Sequence, residues 1–285
     1  MKKLIINADD LGFSDEINKG IEECLLGGAV TGVSIMACGD CFREAVSMLR
    51  QMGRTEAGVH LTLTGKLAPA TKDPEEIKSL VDKDKNFFNG FKDLASRYFL
   101  KGIREDELYR ELSSQARKVL DEGFRVTHLD SHEHVHMFPR IFKVVLRIAC
   151  ELGIPYVRLP LEKTSVIFKQ FAARDLFRHV SLKVFTAGRK KNILNLGLKS
   201  NDAFFGHFHA GRLNEEVFRY TLNKLNDGVN ELAVHPCVGS EEFFKKYPWY
   251  RNGAVELEIL KDPGFKRSVD SSGIQLITHK EAVEG

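Results

Sequence analysis

Residues 124–136 have the sequence FRVTHLDSHEHVH, which is the most informative stretch of the chain for predicting the fold. They begin as a short apolar run typical of a buried strand and continue, where that strand would end, with an aspartate and several histidines. Similar runs recur along the chain and are separated by segments with helical periodicity. They are Lys3–Asn7, Val30–Ala37, Ala57–Leu63, Phe124–Leu129, Tyr156–Leu159, Glu231–His235 and Ile274–Ile277. This alternation predicts an α/β fold.

The helical segments have recognisable ends. One helix is predicted to begin after Ser14, a residue suited to capping, and to stop at Gly27. Another is predicted from Pro139 to Leu152, with apolar residues at helical spacing and Gly153 directly after it. Each segment is long enough to cover one face of a sheet.

Polar residues mark the ends of the predicted strands. They are Asp9, Asp10, His60, Asp130, His132, Arg158 and His235. In parallel β/α folds the C-terminal strand ends carry the ligand-binding and catalytic groups, so we predict an active site there. Periodicity alone does not choose between a closed barrel and an open doubly wound sheet.

The composition of the chain argues against several classes of protein. The chain has 285 residues, of which 43% are hydrophobic, and a formal net charge of +3. This balance excludes a surface built to coat nucleic acid, so no nucleic-acid partner is expected. No run of about 18 apolar residues and no secretory signal are present, so we expect a cytoplasmic protein. The five cysteines, an odd number, favour reduced thiols.

Two stretches interrupt the alternation and read as insertions in a single domain spanning residues 1–285. They are Lys66–Arg104 and Lys163–Ser200. The second carries nine Lys and Arg residues against one acid, Asp175, interleaved with apolar residues. Such a segment suits peripheral contact with a membrane, although a solvated basic face over an ordinary core is the alternative.

Histidines are concentrated after the strand at 124–129. Four of the ten in the chain, His128, His132, His134 and His136, lie within nine residues. Imidazoles and carboxylates at this density suit a borderline divalent ion such as zinc. All four cannot bind one ion, so the others would orient a ligand or bind substrate. A solvated histidine-rich loop without metal is the alternative.

Two adjacent carboxylates, Asp9 and Asp10, close the first strand. Consecutive side chains of a strand point to opposite faces, so both serve one site only if the chain turns there, and Gly12 permits a turn. One carboxylate would bind metal and the other would act as general base. The alternative is a pair that caps the following helix. His60 and His235 are likewise either functional groups or hydrogen-bonded core residues.

Two aromatic stretches remain open to more than one interpretation. Phe204, Phe208 and His209 either stack on a sugar or lipid or form a buried strand-like run. The segment 247–250, which contains Trp249, is either a sugar-stacking wall or packing.

Several motifs follow one another in a diagnostic order. They are NADDLG at 7–12, GVHL at 58–61, THLDSHEHVHMFP at 127–139, VRLP at 157–160 and VHP at 234–236. Together they resemble the YdjC-like (ChbG-type) carbohydrate deacetylases over nearly the whole chain and, within them, the hopanoid-biosynthesis-associated branch. The resemblance implies an irregular TIM-like (β/α) barrel with its active site at the C-terminal strand ends. It also implies one divalent metal ion, zinc or magnesium, and removal of the N-acetyl group from an N-acetylglucosaminyl oligosaccharide or glycolipid.

The same resemblance implies a role for individual residues. The metal ligands would be Asp10, His60 and His132, with Asp9 as general base that takes a proton from the attacking water. His235 would be the general acid that protonates the leaving amine, and Arg158 would orient Asp9 or the substrate. His128 competes with His132 for the ligand role, because the two lie four residues apart, and we favour His132. The candidate substrate-binding residues are His128, Asp130, His134, Phe204 and His209.

Two other functions are weighed against deacetylation. A metal-dependent phosphoesterase or amidohydrolase on a similar barrel would use the same residue types, although the histidine block has few carboxylates for a two-metal site. A membrane-associated binding module without catalysis is opposed by the intact set of acids and histidines. Whether two copies pair as a homodimer is left open.

Overall fold

The computed structural model describes residues 1–162 and 182–285. The strands are β1 Lys2–Leu11, β2 Gly32–Ile35, β3 Glu56–Leu61, β4 Arg125–Ser131, β5 Tyr156–Val157, β6 Ala203–Phe205, β7 Gly228–Val234 and β8 Ile274–Leu276. The α-helices are Asp15–Gly27, Phe42–Gln51, Phe91–Ser96, Glu105–Asp121, Pro139–Leu152, Arg189–Asn195, Glu215–Lys224, Glu241–Lys246, Gly253–Lys261, Pro263–Ser271 and His279–Glu284. Shorter helical turns are Pro74–Ile77, Arg97–Lys101, His132–Met137 and Pro248–Asn252.

The alternating pattern of the sequence is confirmed as an α/β fold with parallel strands. The helix Pro139–Leu152 has the predicted bounds, and Gly153 ends it with a left-handed φ of 65°. The helix Asp15–Gly27 follows Ser14 as predicted. Phe204 lies in the buried strand β6, as in the buried-strand interpretation of that stretch, whereas Phe208 and His209 follow in a turn.

The described residues form two compact units, each assembled from separate stretches of chain. The first contains residues 1–9, 15–33 and 158–285, without the undescribed segment 163–181. In it β1 pairs in parallel with both β7 and β8, and β6 pairs with β7. Residues Leu4–Ile6 of β1 have no exposed surface, as expected for a central strand of a parallel sheet.

The second unit contains residues 10–14 and 34–157. Its strands are hydrogen-bonded in the order β5-β4-β3-β2, all in parallel. In the parallel pair β3 and β4, His60 is opposite Asp130, so two of the predicted site residues are neighbours at the C-terminal ends of these strands.

The first predicted insertion, 66–104, holds the turn Pro74–Ile77 and the helix Phe91–Ser96. Of the second, 163–200, residues 163–181 lie outside the described part of the chain, and in the remainder Lys190 forms an ion pair with Asp202. Peripheral membrane contact through this stretch stays a prediction, as do the single domain and the barrel closure. Within the described residues, no helix has the length and apolar character needed to cross a membrane.

Candidate active site

A cluster of one aspartate and two histidines lies in the second unit. Asp10 Oδ1 is 2.9 Å from His132 Nδ1 and 3.2 Å from His60 Nε2. One potential ligand atom from each of the three residues lies within 4.8 Å of the others. A carboxylate and two imidazoles converging on one point are the donor set of an open zinc site, so the chemistry of the three groups fits a divalent metal ion.

The backbone turns at Asp10 to make this cluster possible. Asp10 has a φ of 64°, in the left-handed region that non-glycine residues rarely occupy. The sequence assigned the turn to Gly12, which has a φ of 97°; the structure has left-handed residues at both positions. A residue held in a sparsely populated conformation must be stabilised by its surroundings, and such residues concentrate at functional sites.

His132 reaches Asp10 from an irregular turn that follows β4. Within the turn His132–Met137, Glu133 and His134 both have a φ of 54°. The Ser131 hydroxyl accepts a hydrogen bond from the His136 backbone N–H at 3.0 Å and contacts His136 Nδ1 at 2.5 Å. His136 is therefore a buried residue that shapes the turn, while His132 at its start reaches the carboxylate.

A chain of hydrogen bonds fixes the orientation of His60. Its Nδ1 is 2.9 Å from Asp130 Oδ1, and Asp130 Oδ2 accepts a hydrogen bond from the Ser34 hydroxyl at 2.8 Å. The Asp130 carboxylate accepts, so His60 Nδ1 carries a proton and Nε2 is the nitrogen that faces Asp10. A carboxylate behind a ligating histidine is the usual support of a metal site.

His128 belongs to this chain of hydrogen bonds. Its Nε2 lies 2.9 Å from the Ser34 hydroxyl and its Nδ1 lies 2.9 Å from the Thr127 hydroxyl. Because Ser34 gives its one proton to Asp130, His128 must donate from Nε2. Its imidazole fills the space beside Gly58, where a Cβ would lie 2.2 Å from the ring. His132, and not His128, is therefore the histidine that accompanies Asp10 and His60.

Asp10 and His132 shift each other's pKa values toward the charged forms. Burial alone would raise the pKa of Asp10, but the neighbouring His132 and His60 imidazoles outweigh it and hold that pKa well below its usual range. Burial would also lower the pKa of His132, and the carboxylate of Asp10 reverses this, so its pKa is raised. The site thus favours a carboxylate surrounded by positive charge, which a bound cation would supply.

The first unit holds a second cluster, built around Arg158. This fully buried guanidinium donates to both oxygens of Asp9, at 2.6 and 2.8 Å, and to Glu231 Oε1 at 2.5 Å. Asn7 donates to Asp9 Oδ1 at 2.7 Å. Burial would raise the pKa of Glu231, but Arg158 and His279 lower it to about 2. The orientation of Asp9 is therefore set by a bidentate ion pair.

His235 lies at the end of β7, beside the same carboxylate. Its Nε2 is 4.0 Å from Asp9 Oδ2, and its side chain is 13% exposed. Its backbone N–H donates to Glu256 Oε2 at 2.7 Å, and burial raises the pKa of Glu256 to about 7. The ring of Trp249 contacts the imidazole edge to face, with centroids 4.7 Å apart. A partly exposed imidazole beside a fixed carboxylate is suited to proton transfer.

The five residues predicted to contact substrate have different surroundings. His128, Asp130 and Phe204 have no exposed surface, and the Arg158 guanidinium lies over the Phe204 ring at 5.4 Å. His209 is also buried, whereas His134 is partly exposed. Contact of these residues with substrate stays a prediction.

Three residues that complete the two clusters, Ser34, Glu231 and Glu256, are not among the predicted site residues. Ser34 is one small hydroxyl in an apolar run, which carries no visible signal. Glu231 and Glu256 did carry one, because a charged residue in a buried strand or on the apolar face of a helix requires a partner. Glu231 accepts a hydrogen bond from Arg158, and Glu256 accepts one from the His235 backbone N–H.

The chain resembles known proteins along nearly all of its length. A protein of Brevibacillus brevis named carbohydrate deacetylase is 30% identical over 98% of this chain and 99% of its own. A protein of Citrobacter koseri named chitooligosaccharide deacetylase is 28% identical over 96% of each chain. A crystal structure from Enterococcus faecalis V583, provisionally named a cellobiose-phosphate cleavage protein, shares the fold with a TM-score of 0.78, 24% identity and 99% coverage of both chains. The family model described as YdjC-like protein matches residues 3–271, and the chain belongs to that family.

Proposed function

We propose that this protein is a metal-dependent hydrolase that removes the N-acetyl group from an acetylated amino sugar. The observation that carries the proposal is the convergence of Asp10, His60 and His132, with Asp130 behind His60. Relatives over almost the entire chain are named carbohydrate and chitooligosaccharide deacetylases. A site of this composition and those names point to the same reaction class.

In this proposal Asp10, His60 and His132 hold the metal ion. When bound, a divalent ion supplies Lewis-acid chemistry, polarising a carbonyl and lowering the pKa of water. The residues fit this task because Asp130 keeps the proton of His60 on Nδ1 and leaves Nε2 as a donor atom. Zinc and magnesium are both candidates, and two imidazoles favour zinc.

Asp9 is the proposed general base. Arg158 and Asn7 fix its carboxylate, so the base does not have to be oriented when the substrate binds. Asp9 takes a proton from the attacking water as the water oxygen bonds to the acetyl carbon. The carbon–nitrogen bond then breaks, and acetate leaves.

His235 is the proposed general acid. Amines are poor leaving groups unless protonated, and His235 Nε2 lies 4.0 Å from Asp9 Oδ2, close enough for one small group to lie against both side chains. His235 gives its proton to the sugar nitrogen, which leaves as a free amine. His128, Asp130 and Phe204, which are fully buried, are proposed as positioning residues.

The test is acetate release from tetra-N-acetylchitotetraose and from an N-acetylglucosaminyl lipid. Metal-stripped protein is assayed alone, with Zn²⁺ and with Mg²⁺. Wild type should release acetate only with metal, and Asp9→Asn should lose release while still binding metal. Asp227→Asn, which changes an aspartate whose side chain is 83% exposed in the same unit, is the matched control and should behave like wild type.

Each outcome of the acetate-release assay leads to a different conclusion. The better substrate distinguishes a soluble oligosaccharide from the lipid-linked sugar that the hopanoid-associated resemblance predicts. Stoichiometric metal with no acetate from either substrate would contradict deacetylation and favour a phosphoesterase or another amidohydrolase. Release that persists in Asp9→Asn would remove Asp9 as the base.

A further inference from the structure

Trp249 is an exposed aromatic residue beside the proposed general acid. It is the one tryptophan of the sequence, and 43% of its surface is exposed. It lies in the turn Pro248–Asn252, which follows the helix Glu241–Lys246. Exposed tryptophans in soluble proteins often mark binding sites, because a large apolar ring is left in water unless a partner covers it.

The indole is held in place from several sides. Its ring meets His235 at 86° and 4.7 Å, and it meets the buried Tyr250 at 90° and 4.9 Å. Gly211 passes beside the nitrogen end of the ring, where a Cβ would lie 2.9 Å from Nε1. A side chain wedged in this way loses little further freedom when a ligand covers it, which favours binding.

The apolar surface of the indole, rather than its nitrogen end, is the part that suits a ligand. Within residues 1–162 and 182–285, the Trp249 N–H has no hydrogen-bond acceptor, and Gly211 packs against it. An exposed aromatic ring is complementary to a pyranose ring, which has an apolar C–H face.

We propose that Trp249 is the platform on which the sugar ring of the substrate stacks, with the acetamide group presented to His235. This proposal rests on the proposed function, because His235 is a catalytic group only in that reaction. The ring centroids of Trp249 and His235 are 4.7 Å apart. A pyranose ring stacked on the indole would therefore place its substituents beside the imidazole. Trp249 thus favours cyclic sugars, whose rings present a flat apolar face, over acyclic polyols.

The test uses tryptophan emission of the full chain, excited at the red edge where the six tyrosines do not absorb, so that it reports on Trp249 alone. Metal-stripped protein is titrated with tetra-N-acetylchitotetraose, with sorbitol as the acyclic control. We expect a saturable change of tryptophan emission with the oligosaccharide and none with sorbitol. Binding measured by calorimetry should weaken about 10-fold or more in Trp249→Ala and much less in Trp249→Phe, which keeps an aromatic face. Phe99→Ala, which removes an aromatic side chain that is 60% exposed in the other unit, should bind like wild type.

Binding and catalysis separate the two proposals. With metal restored, Trp249→Ala should raise KM far more than it lowers kcat, because the platform binds and does not transfer protons. Acetate release by wild type with no emission change and an unchanged KM in Trp249→Ala would overturn the platform and leave the deacetylase intact. Saturable emission without acetate release would support the platform and contradict deacetylation. Neither binding nor release would overturn both.

Discussion

Replacing Arg158 by methionine tests whether the fold depends on one buried cation. Arg158 has no exposed surface, and its guanidinium donates to Asp9 at 2.6 and 2.8 Å and to Glu231 at 2.5 Å. Methionine occupies a similar shape without charge, so Arg158→Met leaves the buried carboxylates of Asp9 and Glu231 without the guanidinium that they share. Removing one partner of a buried ion pair lowers the free energy of unfolding by about 3–5 kcal/mol, which is the loss we expect at pH 7.

The pKa of Glu231 gives a second estimate of how much the ion pair with Arg158 stabilises the fold. A folded-state pKa of about 2, against an ordinary value of 4.5, corresponds to about 3 kcal/mol of stability. Because the pKa is lowered by folding, this stability is present above pH 4.5 and is lost as the pH falls toward 2. In Arg158→Met the guanidinium no longer opposes burial, so ionised Glu231 destabilises the fold instead.

The assay is urea unfolding of both proteins at pH 7 and at pH 3.5, followed by circular dichroism. The difference in free energy of unfolding should shrink by more than about 1 kcal/mol at the lower pH, where Glu231 contributes less to the wild type. Arg251→Met is the matched control, because Arg251 makes two similar bonds to Glu241, at 2.8 and 2.9 Å, on the surface. It should unfold like wild type.

Two results would refute the reasoning. One is a loss in Arg158→Met that is equal at both pH values; the other is a loss no larger than that of Arg251→Met. If Arg158→Met does not fold, the double variant Arg158→Met/Glu231→Gln should recover part of the stability. It removes one of the two buried carboxylates that the guanidinium contacts. No recovery would mean that the guanidinium acts through packing rather than charge.

Three further predictions concern single buried groups. Asp130→Asn should weaken Zn²⁺ binding about 10–100-fold in chelator competition, because His60 loses its carboxylate partner; unchanged affinity would contradict the hydrogen-bond assignment. Glu162, buried with its pKa raised to about 7 and accepting from the Phe208 N–H, destabilises the fold by up to about 3 kcal/mol as the pH rises from 4.5 to 7. Glu162→Gln should therefore unfold at higher urea than wild type at pH 8 but not at pH 4.5, and equal midpoints at pH 8 would disprove this. Gly58→Ala should lose about 1–3 kcal/mol in thermal unfolding, because its Cβ would lie 2.2 Å from the His128 ring; a variant as stable as wild type would show that the ring moves freely.

Local signals in the sequence were sufficient for much of the fold. The helix Pro139–Leu152 has a proline at its start, apolar spacing throughout and a glycine after its end, so neighbours along the chain determine its bounds. The parallel strands followed from apolar runs of the length that buried strands require. Strand β6, at Ala203–Phe205, is only three residues long, and a run that short is weakly defined by local pattern.

The site was predictable only where its residues end strands. Asp10, His60 and His132 stood out because they follow apolar runs. Ser34 did not, since it meets Asp130 across 96 residues of sequence and no local pattern records that contact. The left-handed turn at Asp10 was assigned to Gly12, because glycine is the residue that usually adopts it. Contacts between residues that are far apart in the sequence cannot be predicted from local sequence patterns.

The hydrogen bonds converge on Asp130: Thr127, His128 and Ser34 donate in series toward one carboxylate oxygen, and His60 donates to the other. Changing one member reverses or breaks the series and leaves a buried group unsatisfied. During divergence of the family, these positions should therefore be replaced as a set and not singly. Relatives that differ at Ser34 are expected to differ at His128 as well, so an inconspicuous serine would record how a lineage orients the residue that corresponds to His60.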